Sequence, residues 1–337
     1  MKDAIDCVIL WVDGSDPEWI AQKNKYSEKK NENVDIKTSR YRDWDTLKYL
    51  FRGIEMYAGW FRKVFLVTCG QIPDWIDASC PKLEIVFHDD FIPKQYLPTF
   101  NSNTIELNLH RIKELSNEFV YFNDDMFIMN KTKSTDFFKN GKPCDTAIFN
   151  AFAIAQQDTD FRFLLPVNNM ALINRNFKKK DSIKKYFFKY VSPKYGKDAL
   201  RTICLLPWRH FTGFTINHLP YSIRKSTLNE IWEREYDILD KTCSHRFRNS
   251  DDVNIWLATN WQFVKGDFIP RSINFGKYEY ISDDETHNFE VYNCIKKMKN
   301  KTICINDDVQ DGNYVEIKKN LIEAFESRFP QKSSFEK

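Results

Sequence analysis

Apolar runs typical of strands alternate with amphipathic stretches through the first 130 residues of the chain. The apolar runs, which are closed by polar or turn-forming residues, predict strands at residues 8–12, 64–68, 83–88 and 119–122. From Asp45 onward apolar residues recur with helical spacing, which predicts a helix capped by Asp45. Asn103, with Glu106 three residues later, predicts a second capped helix. This alternation predicts an α/β fold with a mostly parallel sheet flanked by helices.

Past residue 150 the pattern becomes mostly helical. Helical patterns cover residues 176–190, 228–239, 254–264 and 314–329. We therefore expect three parts: an α/β half (1–150), a helical spacer with a basic segment (151–215) and a second catalytic half packed on the first (216–337). The basic segment fits either contact with an anionic lipid or polymer, or a solvated lysine face over a stripe that packs on the core.

Carboxylates follow three of the four predicted strands. These acidic strand ends are Asp13 with Asp16, Asp89 with Asp90, and Asp124 with Asp125. Ligands of parallel sheets bind beyond the carboxyl ends of the strands, so the three groups are expected at one edge. Adjacent carboxylates repel each other and are costly to bury without a cation. We expect Asp124 or Asp125 to hold Mg²⁺ or Mn²⁺, which prefer oxygen ligands, whereas Asp89 and Asp90 also fit a solvated turn.

Composition excludes several classes of protein and favours others. The chain of 337 residues is 42% hydrophobic with a net charge of +3, which is typical of a globular protein and argues against a dedicated nucleic-acid binder. No apolar run approaches the roughly 20 residues of a membrane span, and no signal peptide is recognised. Eight scattered cysteines without a CxxC pair predict free thiols and a cytoplasmic protein. Glycine-rich phosphate loops are absent from the sequence.

The second half supplies groups of the opposite charge. Residues 216–226 contain His218 and Arg224, and residues 244–252 contain Arg248 and Asp252. Guanidinium groups fit phosphate, and a histidine beside them can take a proton from a hydroxyl nucleophile. Metal-binding carboxylates in one half with arginine and histidine in the other suit phosphoryl transfer, where positioning and charge neutralisation dominate.

Long motifs in both halves resemble a known family. WVDGSDPEW (11–19), residues 41–75, LPTFNSNTIELNLHRI (97–112) and FVYFNDDMFI (119–128) resemble the first two signature regions of the Stealth family. HLPYSIRKS (218–226) and SHRFRNSDDVNIWL (244–257) resemble its third and fourth regions, and residues 303–337 resemble its C-terminal pattern. The likeness spans nearly the whole chain in the family's order.

The resemblance implies a fold and an activity. Stealth proteins are sugar-1-phosphate transferases with a glycosyltransferase-A-like, Rossmann-like core and a divalent metal. By resemblance, this chain moves hexose 1-phosphate, with N-acetylhexosamine 1-phosphate favoured, from a UDP-sugar to a sugar hydroxyl. The reaction forms a phosphodiester and releases UMP during the synthesis of a capsular or cell-surface polysaccharide. The expected partners are the UDP-sugar and an oligosaccharide or polysaccharide acceptor, with no nucleic acid.

Motif positions and residue chemistry together give a set of candidate site residues. His218 is the first candidate for the general base, and Asp252 is its rival or its orienting partner. The candidate catalytic residues are His218, Arg248, Asp252 and Asp16, and the candidate metal ligands are Asp124 and Asp125. The candidate substrate-binding residues are Trp11, Asp13, Gly14, Arg42, Gln71, Asn101, Ser102, His110, Arg111, Asn123 and Arg224.

Three other functions fit parts of the sequence. A conventional metal-dependent glycosyltransferase would use the same acidic site but release UDP. A catalytically silent sugar-nucleotide or polysaccharide-binding module would lack the histidine, the arginine or the acidic pair, all of which are present. A membrane-surface adaptor leaves the acidic edge unexplained, although loose membrane association of an enzyme through residues 178–189 is expected.

Overall fold

The computed structural model describes residues 4–27, 34–35, 42–152, 161–310 and 313–337. Within them the strands are β1 (Ile5–Leu10), β2 (Val34–Asp35), β3 (Val64–Thr68), β4 (Leu83–Phe87), β5 (Glu118–Phe122), β6 (Met126–Ile128), β7 (Phe138–Lys139), β8 (Lys142–Asp145), β9 (Tyr221–Arg224), β10 (Arg248–Asn249), β11 (Ile269–Pro270), β12 (Gly276–Ile281) and β13 (Thr302–Asp307). The α-helices are α1 (Pro17–Ser27), α2 (Leu47–Tyr57), α3 (His88–Phe91), α4 (Ser102–Asn108), α5 (Phe161–Asn176), α6 (Lys179–Tyr190), α7 (Ala199–Leu205), α8 (Lys225–Arg234), α9 (Tyr236–Ser244), α10 (Trp256–Val264), α11 (Glu285–Lys297) and α12 (Tyr314–Arg328).

The largest sheet has five strands in the order β4-β3-β1-β5-β9. Its first four strands run parallel, and β9 pairs antiparallel with β5. All side chains of β3 and β5 are buried, as expected of parallel strands that are covered on both faces. The mostly parallel sheet predicted from the alternating pattern is confirmed, and so is the α/β class.

A smaller sheet lies beside the large one. β6 pairs antiparallel with β13, which pairs parallel with β12. Only residues 123–125 separate β5 of the large sheet from β6 of the small sheet. The chain therefore passes from one sheet to the other through the turn that carries the adjacent aspartates.

The antiparallel strand β9 ties the second half of the chain to the first. Tyr221 lies opposite Tyr121, and Arg224 lies opposite Glu118 at the amino end of β5. One connected hydrophobic core includes residues from all three predicted parts, such as Phe65, Tyr190 and Trp261. The second half is largely helical, as expected, but it also contributes this strand to the sheet of the first half.

Helix boundaries differ from the sequence prediction where backbone conformation intervenes. Asp45 has a φ of 54°, in the left-handed region, so α2 begins later, after Thr46 at the N-cap. The N-cap of α4 is Asn101, whose side chain accepts a hydrogen bond from the Asn103 amide. The helical stretch predicted at 228–239 is two helices, because the backbone of Glu235 is non-helical.

Gly53 permits a close approach between α2 and β6. A Cβ atom added at Gly53 would lie 2.4 Å from the carbonyl oxygen of Ile128, a backbone atom that cannot rotate away. We predict that Gly53→Ala lowers the free energy of unfolding by about 1–3 kcal/mol, despite the better helix propensity of alanine. Urea denaturation measures the change. Gly59→Ala is the matched control, because its nearest contact would be an ordinary 3.7 Å; equal effects of both changes would contradict the prediction.

Candidate active site

A cavity of about 580 Å³ opens at the carboxyl edge of the large sheet, next to the small sheet. Residues from the ends of β1 and β5, from α4, from the segment before β9 and from β13 line it. The predicted site residues that line this cavity are Trp11, Arg42, Ser102, Asn123, Asp124, Asp125, His218 and Arg248. Residues from both halves of the chain therefore meet in one cavity, as a transfer site requires.

The acidic turn is held by both sheets. The Tyr121 hydroxyl of β5 donates a hydrogen bond to the Asn123 side chain. On the other side, the Ile305 amide of β13 donates to the Asp125 carbonyl at 2.9 Å. The Cys304 thiol donates to Oδ2 of Asp125 at 3.3 Å. These bonds fix the carboxylate of Asp125 before any ligand binds.

Negative charge in the turn is poorly compensated by the protein itself. Burial raises the pKa of Asp124 to about 8, and the neighbouring charges of Asp125 and Asp43 add to this effect. Oδ1 of Asp125 is buried and has no hydrogen-bond partner among the described residues. A buried carboxylate oxygen without a partner is costly, and a cation at this place would remove the cost. The turn therefore fits a bound divalent cation.

The donor atoms around Asp125 favour a hard cation. His218 and Cys304 each place a potential ligand atom within 4.8 Å of the Asp125 carboxylate, a set that softer metals also accept. Burial raises the pKa of the Cys304 thiol well above its ordinary value, and the thiol donates a hydrogen bond to Oδ2 of Asp125. The remaining oxygen ligands of Asp124 and Asp125 suit Mg²⁺ or Mn²⁺.

The imidazole of His218 lies between Asp125 and an aromatic pair. Its Nε2 is 3.4 Å from Oδ2 of Asp125, and its Nδ1 is 3.2 Å from the Tyr221 hydroxyl oxygen. That oxygen also accepts a hydrogen bond from Trp256 Nε1 at 2.7 Å. The backbone of His218 has a φ of 42°, an uncommon conformation for this residue type and one that clusters at functional sites. Tyr221, Trp256 and the β9 strand thus fix where the imidazole points.

Arg248 lines the cavity beside the start of α4. Its Nη2 donates to Oγ of Ser102 at 2.7 Å, at the first position of that helix. Glu106 is buried, with Oε1 3.1 Å from the Tyr121 hydroxyl oxygen and Oε2 accepting from the Ile255 amide. Burial raises the pKa of Glu106, while the positive charge of Arg248 opposes the rise. A fixed guanidinium of this kind can bind a phosphate in the cavity.

Asp252 is fully buried and supports the cavity from behind instead of facing His218. Its Oδ1 is 2.7 Å from Nδ1 of His245, and its Oδ2 accepts from the side chains of Asn101 and Asn103. The Asn249 amide, next to Arg248, also donates to Oδ2. Asp252 therefore joins the strand of Arg248 to the start of α4. Asp252 was expected to orient His218, but the residues that contact the His218 imidazole are Asp125 and Tyr221.

Residues after β1 form a turn and a helix cap outside the cavity lining. Oδ1 of Asp16 accepts from the Glu18 amide at 2.8 Å and so caps α1. The Gln71 side chain bonds both Asp13 and Asp16, which holds the turn that contains Gly14. The hydrogen bond from Gln71, followed by the helix cap, lowers the pKa of Asp16. The structure therefore gives Asp13, Gly14 and Asp16 a local structural role, while Trp11, Val12 and Trp19 of the same motif line the cavity.

Three other candidates lie away from the cavity. Arg224 pairs with Asp267 at 2.9 Å, at the amino edge of β5 and thus opposite to the acidic turn. His110 is buried with Nδ1 3.0 Å from the Leu107 carbonyl oxygen, and burial lowers its pKa to about 4. Arg111 lies over the ring of Trp232. None of the three lines the cavity, so the predicted phosphate-binding role of Arg224 is not supported.

The second acidic pair is exposed to solvent and lies outside the cavity. Asp89 and Asp90 are exposed in the short helix α3, and Asp90 accepts a hydrogen bond from the Phe87 amide. In contrast, the cavity is lined by Asp43 and Asp307, which sequence reasoning did not select. Asp307 comes after the apolar residues of β13. The pattern that selected Asp124, a carboxylate at the end of an apolar strand, is therefore also present at Asp307. Arg42 and Trp44 both donate to its carboxylate.

Four family models match separate stretches of the chain. They are described as Stealth protein conserved region 1 (residues 3–31), region 2 (40–145), region 3 (217–262) and region 4 (293–337). Both motifs that were expected to be regions three and four lie within region 3, and the C-terminal pattern is region 4. Region 2 includes the acidic turn, and region 3 includes His218, Arg248 and Asp252.

Three relatives that match along nearly their full length are named polysaccharide phosphotransferases. Capsular polysaccharide phosphotransferase WcwK of Streptococcus pneumoniae is 45% identical over 338 residues, covering 99% of this chain and 98% of the relative. Exopolysaccharide phosphotransferase cps2G of Lactiplantibacillus plantarum is 40% identical, covering 99% and 96%. Receptor polysaccharide phosphotransferase WefC of Streptococcus oralis is 37% identical, covering 98% and 99%. The matched stretches thus span the segments that line the cavity.

The His245–Asp252 pair predicts a pH-dependent stability. The hydrogen bond that the His245 imidazolium donates to Asp252 raises the pKa of His245 above its usual value of about 6.5. This stabilisation is complete below the unfolded pKa and is lost as pH rises through the higher folded pKa. We predict that the free energy of unfolding of the wild type, relative to His245→Gln, is larger at about pH 6 than at about pH 9. Denaturant titration at both pH values tests this. The exposed His210→Gln serves as control, and an unchanged difference between the two pH values would contradict the prediction.

Proposed function

The chain belongs to the Stealth protein family and is a phosphotransferase, and we propose that it transfers a sugar 1-phosphate from a UDP-sugar to a sugar hydroxyl. The names of its full-length relatives place it in the synthesis of a capsular or extracellular polysaccharide. The observation that carries the proposal is the meeting of the acidic turn with His218 and Arg248 in one cavity. Such a site pairs metal-binding carboxylates with a proton acceptor and a phosphate-binding cation.

His218 is the proposed proton acceptor. In this proposal Nδ1–H donates to the Tyr221 oxygen, so the lone pair of Nε2 faces the side of the cavity that contains Asp125. The acceptor hydroxyl loses its proton to Nε2 as its oxygen bonds to the β-phosphorus of the donor. The bond from that phosphorus to the bridging oxygen breaks, and UMP leaves with the oxygen. The carboxylate of Asp125 then stabilises the imidazolium.

Arg248 is the proposed ligand of the transferred phosphate. Its bond to Ser102 fixes the guanidinium toward the cavity, and Asp252 holds the strand from which it projects. Because the transferred phosphoryl group carries negative charge throughout the reaction, a cation fixed in advance stabilises the transition state without reorganisation.

Asp124 and Asp125 are the proposed ligands of Mg²⁺ or Mn²⁺. The orphaned Oδ1 of Asp125 and the raised pKa of Asp124 support this role. When bound, the cation supplies charge neutralisation for the diphosphate of the donor. The protein's own contribution is to hold the turn through Tyr121, which bonds the Asn123 side chain, through Ile305, which bonds the Asp125 carbonyl, and through Cys304, which bonds the Asp125 carboxylate.

An aromatic surface next to His218 is the proposed acceptor subsite. The rings of Trp256 and Tyr278 lie with their centroids 6.5 Å and 6.1 Å from that of the imidazole. Aromatic side chains that line a cavity give sugars a flat apolar surface, with a few polar groups fixing the orientation. A sugar bound there would place its hydroxyl within reach of the proton acceptor.

The identity of the nucleotide product tests the proposal. We predict that incubation with UDP-N-acetylhexosamine donors, a sugar acceptor and Mg²⁺ yields UMP and a phosphodiester, as measured by mass spectrometry. His218→Ala should lower kcat by about 10²-fold or more because the proton acceptor is lost, while its thermal unfolding stays unchanged. His287→Ala, at a half-buried histidine outside the cavity, should keep wild-type activity.

Accumulation of UDP in place of UMP would refute phosphate transfer and support a conventional glycosyltransferase. If His218→Ala kept most of its activity with an unchanged pH profile, His218 would be removed from the proton-transfer step, while UMP release would still support the reaction itself.

Metal binding at the acidic turn can be tested without turnover. We predict that Mg²⁺ or Mn²⁺ raises the thermal midpoint of the chelator-treated wild type, because a ligand that binds only the folded state stabilises it. Asp125→Asn should abolish this shift and the transfer activity. Asp89→Asn, at the exposed acidic pair, should retain both. An undiminished metal-induced shift in Asp125→Asn would contradict the assignment.

A further inference from the structure

An apolar patch protrudes from the surface at helix α7. Its members are Leu200, Ile203 and Trp208, with exposed fractions of 61%, 44% and 56%. Leu200 and Ile203 are three residues apart on the same helix, and Trp208 follows in the turn after it. None of the three lines the cavity described above. Large apolar side chains gathered on a surface in this way mark a site of interaction.

The opposite face of α7 packs on the protein, and this packing keeps the three side chains of the α7 patch exposed. Leu205 and Thr202 are buried, and the Thr202 hydroxyl accepts from the Phe149 amide at 3.0 Å. The buried ammonium group of Lys179 donates to the carbonyl oxygens of Leu205 and Trp208 at 2.6 and 2.9 Å. These bonds fix both the end of α7 and the following turn. The exposed side chains are therefore a fixed feature of the folded protein.

Basic side chains surround the patch. Lys197, Arg201 and Arg209 are exposed, and none forms an ion pair with a carboxylate among the described residues. Between residues 194 and 210 the chain carries four lysines and arginines but one acid, Asp198. The patch thus combines apolar side chains with an excess of positive charge.

Helix α6 adds to this charge, but less than its sequence suggests. Lys179 points inward, and Lys189 donates to the carbonyl oxygens of Gly266 and Phe268. The exposed lysines of the segment are Lys178, Lys180, Lys184 and Lys185. The basic segment 178–189 is therefore partly a structural element that anchors neighbouring loops, while its four exposed lysines leave the membrane contact expected of this segment a prediction.

We propose that the α7 patch binds the surface of an anionic lipid bilayer. Segments that lie in the membrane interface combine tryptophan, leucine and isoleucine with arginine and lysine, as the α7 patch does. Three apolar side chains are too few for a stable protein interface, which buries about 800 Å² per partner. Among the described residues no helix is long and apolar enough to cross a membrane, so the binding mode would be peripheral.

Vesicle co-sedimentation tests the proposal directly. Wild-type protein should bind phosphatidylglycerol-containing vesicles and bind pure phosphatidylcholine vesicles more weakly, with binding to the former lost as salt rises. Leu200→Ser/Ile203→Ser/Trp208→Ser should weaken binding about tenfold or more, and Arg201→Gln/Arg209→Gln should reduce the preference for anionic lipid. The matched control is Phe289→Ser/Val315→Ser, which removes exposed apolar side chains elsewhere and should leave binding unchanged.

Several outcomes would overturn the proposal. The proposal is wrong if the wild type fails to bind anionic vesicles, or if the α7 variant and the control variant lose vesicle binding equally. It is also wrong if light scattering shows a wild-type dimer that is absent in the α7 variant. Transfer to a soluble acceptor should persist in the α7 variant. Because lipid binding is measured without turnover, failure here leaves the proposed transferase activity untouched, and failure of the activity leaves the lipid result interpretable.

Discussion

The antiparallel pairing of β9 with β5 is the constraint on which the site depends. β5 ends at the acidic turn, and β9 runs in the opposite direction beside it, so the residues before β9 reach the carboxyl edge of the sheet. His218 therefore meets Asp125, although the two are far apart in the sequence. The same pairing places Tyr221 where its hydroxyl adjoins the imidazole. A parallel β9 would have sent His218 to the opposite edge.

The site is organised around a charge that the protein leaves uncompensated. The turn that carries Asp124 and Asp125 is held by hydrogen bonds from two sheets, yet one buried oxygen of Asp125 has no partner among the described residues and the pKa of Asp124 is raised. Natural cores avoid such groups unless a ligand completes them. Arg248 supplies the opposite charge, on a strand joined to α4 through Asp252. The protein thus holds in one cavity the groups that we propose to bind a cation and a phosphate.

Buried charged groups outside the cavity serve the architecture. Asp252 collects donors from α4, from the strand of Arg248 and from His245, and so fixes the second half against the first. Lys179 performs a similar role by binding the carbonyl oxygens at the end of α7. A charged group is costly to bury without partners, but here the hydrogen bonds of each charged group also satisfy the polar groups that surround it. In both cases a residue type suggestive of chemistry or surface contact is used to position another segment.

Periodicity and strand ends were sufficient to predict the alternating elements, the mostly parallel sheet and the acidic turn at its edge, because these patterns reflect local conformation and burial. The motifs also identified the family, since long ordered matches need no knowledge of the fold. The direction of β9 was decided only in three dimensions, and it sends Arg224 to the amino edge while His218 reaches the site. Likewise, the sequence could not tell that Asp16 caps a helix or that Asp252 pairs with His245. An aspartate that caps, bridges or binds metal looks the same in sequence, because its role is set by the atoms that the fold brings to it.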